Sequence, residues 1–96
     1  MKFAISDDEP VITSTYVVDQ FLPILFVVHD FDEEAETGGA WQFHCGNGDY
    51  SVDKLRLVKL STIIGIDASV VSVADLPIGF RARRDSATAP WIYESE

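Results

Sequence analysis

Bases are scarce in this chain. Its 96 residues hold seven Lys and Arg against sixteen Asp and Glu, a net charge of −9. A field of that sign repels nucleic acid and anionic lipid and draws basic partners inward. Cysteine is scarcer still: Cys45 stands alone, which excludes an intramolecular disulfide framework. The longest apolar run, residues 22–28, contains Pro23 and is far too short to span a bilayer. No basic stretch precedes an apolar one at the start, so no secretory signal is expected. With the lone thiol, this points to a reducing cytoplasm.

Catalytic and metal motifs are missing too. Adjacent strand residues point to opposite faces, so His44 is badly placed to activate Cys45. One cysteine and two histidines, His29 and His44, fall short of a zinc site. Residues 30–39, DFDEEAETGG, lack the alternating ligands and mid-loop glycine of a calcium loop. Residues 46–49, GNGD, lack the strand–GxxxxGK–helix frame of a phosphate loop and read as a turn through Gly46 and Gly48. The expectation is no cofactor, no metal and no catalytic residue, with Cys45 a small core side chain.

What is present is enough to fold. Hydrophobic residues make up 47% of the chain, including two Trp, six Phe and three Tyr. The length suits one domain over residues 1–96, with a loose start at 1–10 and a core over 11–93. The best-specified stretch is 66–84. Asp67 suits a helix N-cap, where its carboxylate accepts from free backbone N–H groups. Ile66 and Val71 have the spacing of a hydrophobic staple. Pro77 pushes Leu76 out of helical backbone. Leu76-Pro77-Ile78-Gly79 suits a type I turn. Phe80, Ala82 and Arg84 then alternate with Arg81 and Arg83, the period of a strand with one wet face.

Upstream, 11–13 reads as a short strand. Ser14 or Thr15 is placed to cap a helix through Gln20, with Tyr16, Val17 and Phe21 facing inward. Residues 24–30, ILFVVHD, form a continuous apolar run typical of a central strand. A polar, glycine-ended loop over 32–39 leads to 40–45, where Trp41, Phe43 and Cys45 alternate with Gln42 and His44. No crossover helix fits between these strands, so they pair antiparallel. A further strand is expected over 56–59. Ser61 is placed to cap a short helix that breaks at Gly65. Trp91 and its neighbours form either a last strand or an aromatic plug, and Arg83 or Arg84 is placed to stack on Trp91. The sum is an α+β fold: a single compact domain with an antiparallel sheet of about four or five short strands and two or three short helices.

Trp41, Phe43 and Gly46, then Ile66-Asp67, then Leu76-Pro77-Ile78-Gly79-Phe80 running into Arg84, then Pro90-Trp91, follow the order W-x-F-x-x-G, I-D-x-S-V, L-P-x-G-x-x-A-x-R, P-W. This order resembles a family of small bacterial proteins of unknown function, similar to the immunity-protein-33 type that accompanies polymorphic toxins. The likeness covers residues 11–91. It implies a bacterial, non-enzymatic protein that acts by stoichiometric binding, and it supplies no catalytic residue to carry over. The motif residues are structural in character: Trp41, Phe43, Cys45, Gly46, Asp67, Leu76, Pro77, Gly79, Phe80 and Trp91.

Charge layout then suggests where a partner docks. Residues 1–53 hold eleven acids against one base, Lys2, whereas 54–84 hold six bases against two acids. An acidic face of Asp30, Asp32, Glu33, Glu34 and Glu36, joined by Asp49 and Asp53, is expected to meet a basic toxin-like protein. Phe31, Trp41 or Tyr50 would supply apolar anchors. Arg81, Arg83 and Arg84 hold a lesser claim as an anion or partner contact, against pairing with the chain's own acids. Two other readings stand beside this one. One is a structural or regulatory module that self-associates; the other is a small-molecule binder or enzyme that uses His44, Gln42 and the Arg81/Arg83 face.

Overall fold

Trp41 and Phe43 alternate with Gln42 and His44, and that period of two builds the centre of a sheet. A computed structural model describes residues 3–95; Lys2 and Glu96, counted in the charge balance, lie outside the described residues. In chain order the elements are β1 (Pro10–Ser14), α1 (Thr15–Val18), β2 (Phe26–Phe31) and β3 (Gly39–His44). A 3-10 turn at Val52–Lys54 leads to β4 (Leu55–Lys59) and α2 (Leu60–Ile66). A 3-10 helix at Ala68–Val73, β5 (Phe80–Arg83) and β6 (Ile92–Ser95) complete it. The fold is α+β, around a six-stranded sheet in the order β4-β1-β3-β2-β5-β6. The strand count exceeds the expectation because both short candidates, near residues 11–13 and 91–93, pair as strands.

The sheet is mixed, which corrects the expected antiparallel pattern. β1 and β3 run parallel and meet at Ile12 and Gln42. The other pairs are antiparallel, including the β2–β3 hairpin. The cause is the β1–β2 connection. α1 and residues 19–25 carry the chain past the place beside β1, and β3 folds back into that gap.

One face of the sheet is sealed by helices. Val11, Val27, Trp41, Phe43 and Ala82 pack against Leu60, Ile63, Val70, Val73 and Leu76, with Cys45 among them. The other face carries Ile12, Phe26, Val28, Asp30, Gln42, His44, Leu57 and Arg81, and no helix among the described residues covers it. Within the described part of the segment expected to be loose, one residue is tied into the core. Phe3 is buried, edge-on to Trp41 at 4.8 Å and to Phe43 at 5.9 Å. Its ring closes the end of the core beside the helices.

Local details depart from expectation for identifiable reasons. α1 is a single turn, Ser14 makes no side-chain cap bond, and the helix ends at Asp19. Phe21 then takes a φ of 56°, which swings its ring outward to 72% exposure instead of inward. α2 starts at Leu60, before Ser61, and runs through Gly65 to Ile66. Its first free N–H groups are met by backbone: Leu60 donates to the Glu9 carbonyl and Ser61 to the Asp7 carbonyl. Asp67 does cap the next helix, accepting from the Ser69 N–H at 3.0 Å. That helix is 3-10, consistent with valines that crowd an α-helical turn. The turn after it is shifted by one residue. Phe80 N–H donates to the Pro77 carbonyl, and Gly79 sits third with φ 89°, the place where a type II turn requires glycine.

Candidate functional site

The β2–β3 hairpin ends in a loop over 32–38 that carries its own hydrogen bonds. Asp32 N–H donates to the Gly38 carbonyl, Ala35 to Asp32 and Gly38 to Ala35. The Asp32 carboxylate is turned inward, accepting from the Glu34 N–H at 3.0 Å. Glu33, Glu34 and Glu36 are left exposed. The turn at residues 6–9 stands against this loop. Glu9 lines one crevice with Asp32 and Glu34, and a second with Glu36. Asp7 and Asp8 are exposed alongside, and Lys59 approaches Asp8 at 3.7 Å. Two stretches over twenty residues apart thus make one acidic pole.

Apolar groups break through this pole. Phe31, the last residue of β2, is 72% exposed. Ile78 is 41% exposed and reaches the same hairpin, near enough that a Cβ on Gly39 would lie 3.0 Å from its Cγ1. Phe31 pairs with Gly39 across the hairpin, so Ile78, which packs over Gly39, and Phe31 emerge at the same end of the sheet. Sequence reasoning singled out Phe31 but missed Ile78 and the Asp7–Asp8–Glu9 cluster. The cluster's charge was legible; its position needed Phe3 to anchor the chain start.

The structure does not bring Asp49, Tyr50 and Asp53 to this pole. They follow the far end of β3, about 17 Å from its hairpin end at 3.4 Å per residue. Asp49 instead ties a loop together: it accepts from the Tyr16 hydroxyl at 2.5 Å and from both the N–H and hydroxyl of Ser51. The Ser51 and Tyr16 hydroxyls hold its carboxyl down at about 2. Tyr50 packs over Phe26 and edge-on to His44. Asp53 is exposed on the 3-10 turn before β4. Trp41 is buried, so it is not an exposed anchor.

Asp30 belongs to a polar chain across the uncovered sheet face. Its carboxylate accepts from Gln42 Nε2 at 3.1 Å. That fixes the amide so that Gln42 Oε1 faces His44, whose Nε2 donates at 2.9 Å. His44 is only 2% exposed, and burial pushes its pKa down. The arginines separate into three fates. Arg84 is buried: Nε and Nη2 donate to the Ile24 carbonyl, Nη2 to Asp67, and Nη1 to Ser69 Oγ. Its guanidinium also lies 4.1 Å from the Trp91 ring centre, the stacking expected for that pair. Arg83 is engaged with Glu94 across the strand pair. Arg81 is exposed on the uncovered face, opposite Glu94. The three do not form one anion site, and Arg84 is unavailable to any partner.

The remaining motif residues are structural. Phe43 and Cys45 are in the core, Gly46 takes φ 78°, and the Leu76 carbonyl accepts from His29 Nδ1 at 2.7 Å. Among the described residues, no group of three acidic, His or Cys side chains is placed to hold a metal. No helix among them is long and apolar enough to cross a membrane. The chain matches no family model, and comparisons with curated proteins and with solved structures give no match. The likeness to immunity-type proteins therefore rests on the motif order alone.

Proposed function

We propose that this protein is a non-enzymatic binding protein that holds a basic protein partner at its acidic pole, in the manner of a cytoplasmic immunity protein. The observation that carries this is the pairing of Phe31 and Ile78 with acids from two separate segments. Apolar groups within a charged rim are the usual anatomy of a protein interface. The rim would steer a basic surface inward, and the exposed Phe31 ring would be covered on docking. Occlusion of the partner would be stoichiometric, and nucleic acid would be repelled by the same charge.

The test uses the products of the neighbouring reading frames as purified probes. A basic product is expected to bind one to one, at least tenfold more weakly when Glu33, Glu34 and Glu36 are changed to Lys, and more weakly in high salt. Phe31→Ala is expected to speed dissociation. Binding that ignores both salt and charge reversal overturns the reading. So does the absence of any basic partner among those products.

A further inference from the structure

Among the described residues no strand pairs with the outer edge of β4, and the backbone groups of that edge have identifiable fates. Leu60 N–H donates to the Glu9 carbonyl, and the antiparallel alternation then turns the backbone groups of Leu55, Leu57 and Lys59 outward. The Leu55 N–H is taken by the Val52 carbonyl. The Leu55 carbonyl accepts from the Arg56 guanidinium at 2.8 Å. Lys59 is the N-cap of α2, so its carbonyl turns into that helix. Leu57 is left with both backbone groups facing outward, and Lys59 with its N–H.

The side chains around this opening are of two kinds. Leu57 is 69% exposed and lines a shallow cleft with Ile12 and Leu55. Lys54, Arg56 and Lys59 bring three of the chain's seven bases to the same edge. Free edges invite pairing with another copy, and charges of one sign oppose it. Those same charges favour a strand of opposite sign.

We propose that β4 takes an extended acidic segment of another protein as a further strand of the sheet. The register defines the chemistry of that segment. A residue opposite Leu57 exchanges two backbone bonds with it and is apolar, to cover Leu57 and Ile12. Residues opposite Lys59 and Arg56 are acidic. Lys59 approaches Asp8 of the acidic pole at 3.7 Å, but the open backbone at Leu57 lies on the β4 edge, with β1 between it and the β2–β3 hairpin, so either proposal can fail its test without the other.

A capped, dye-labelled octapeptide containing Glu-Thr-Val-Glu is the probe, read by fluorescence polarisation. It is expected to bind at least tenfold more tightly than the same peptide with Lys for Glu. N-methylation of its valine, which removes the N–H aimed at Leu57, is expected to weaken binding at least fivefold. Hydrogen exchange at the Leu57 and Lys59 amides is expected to slow in the complex. The double variant Arg56→Glu, Lys59→Glu changes two exposed side chains and is expected to reverse the peptide preference. Equal binding of the acidic and basic peptides, indifference to N-methylation, or unchanged exchange at Leu57 each overturns the proposal. Protection of the same amides by concentration-dependent self-association also overturns it, since the occupant is then a second copy.

Discussion

Arg84 and Asp67 meet at 2.7 Å, and the arginine side chain is only 2% exposed. The pair joins the end of β5 to the start of the helix at Ala68–Val73, and the shared Ile24 carbonyl brings in the entry to β2. Removing one partner of such a buried pair leaves the other uncompensated. Arg84→Met is expected to lower unfolding free energy by about 3–5 kcal/mol. Asp67→Asn keeps a capping oxygen and is expected to lose about 1–2 kcal/mol. Urea unfolding measures both, and Arg84→Met is further expected to change Trp91 emission, since the ring loses its cation. A loss below 1 kcal/mol for Arg84→Met would contradict the structural role assigned to the residue.

Gly39 is held by its neighbour His29. An added Cβ would lie 2.4 Å from His29 Nε2 and 3.0 Å from Ile78 Cγ1. His29 cannot swing away freely, because its Nδ1 donates to Leu76 and its ring stacks on Trp41 at 3.9 Å. Gly39→Ala is expected to cost about 1–3 kcal/mol. His29→Ala, Gly39→Ala together is expected to cost at least about 1 kcal/mol less than the sum of the single changes. Additive single and double losses would show that the clash is relieved elsewhere.

His44 makes stability depend on pH in a defined direction. Burial lowers its pKa from the usual 6.5, so the unfolded chain takes up the proton at higher pH than the folded one does. Its stabilising effect is complete above the unfolded value and drains as pH falls toward the folded one. The urea midpoint is expected to fall from pH 7 to pH 5, and to fall less in His44→Gln. Parallel pH profiles for the two proteins would exclude His44 as the source.

Phe21 occupies left-handed backbone at φ 56° with its ring largely in water. Such a conformation is costly for a residue with a Cβ, and little packing offsets it here. Phe21→Gly is expected to raise stability by up to about 1 kcal/mol, the relieved strain exceeding the added unfolded-state entropy. Thermal unfolding measures it. A destabilisation of 1 kcal/mol or more would show that the ring packs in solution.

Legibility followed the range of the interaction. The alternation at 41–45, the run at 24–30, the Asp67 cap and the Phe80–Arg83 strand are set by neighbours a few residues away, and each appears within two residues of where it was read. The shifted turn at Pro77 shows the limit of that local view. Gly79 N–H donates to the His29 carbonyl at 2.7 Å, a contact fifty residues distant that selects the turn with glycine third. The acidic pole divided in the same way. Glu33, Glu34 and Glu36 declare themselves in any reading of the chain. Asp49 and Asp53 share their charge but lie at the other end of a strand.

The sequence alone determined the class of fold, the excess of acid, the lack of a metal-ligand motif and the apolar period of each central strand. These depend on composition and on backbone periodicity. Tertiary structure decided the rest. It inserted β3 between β1 and β2, buried Arg84 while leaving Arg81 in water, and carried Asp7–Glu9 to the hairpin. Strand order and charge pairing depend on which distant groups share a surface, and only closure of the core around Phe3, Trp41 and Phe43 specifies that.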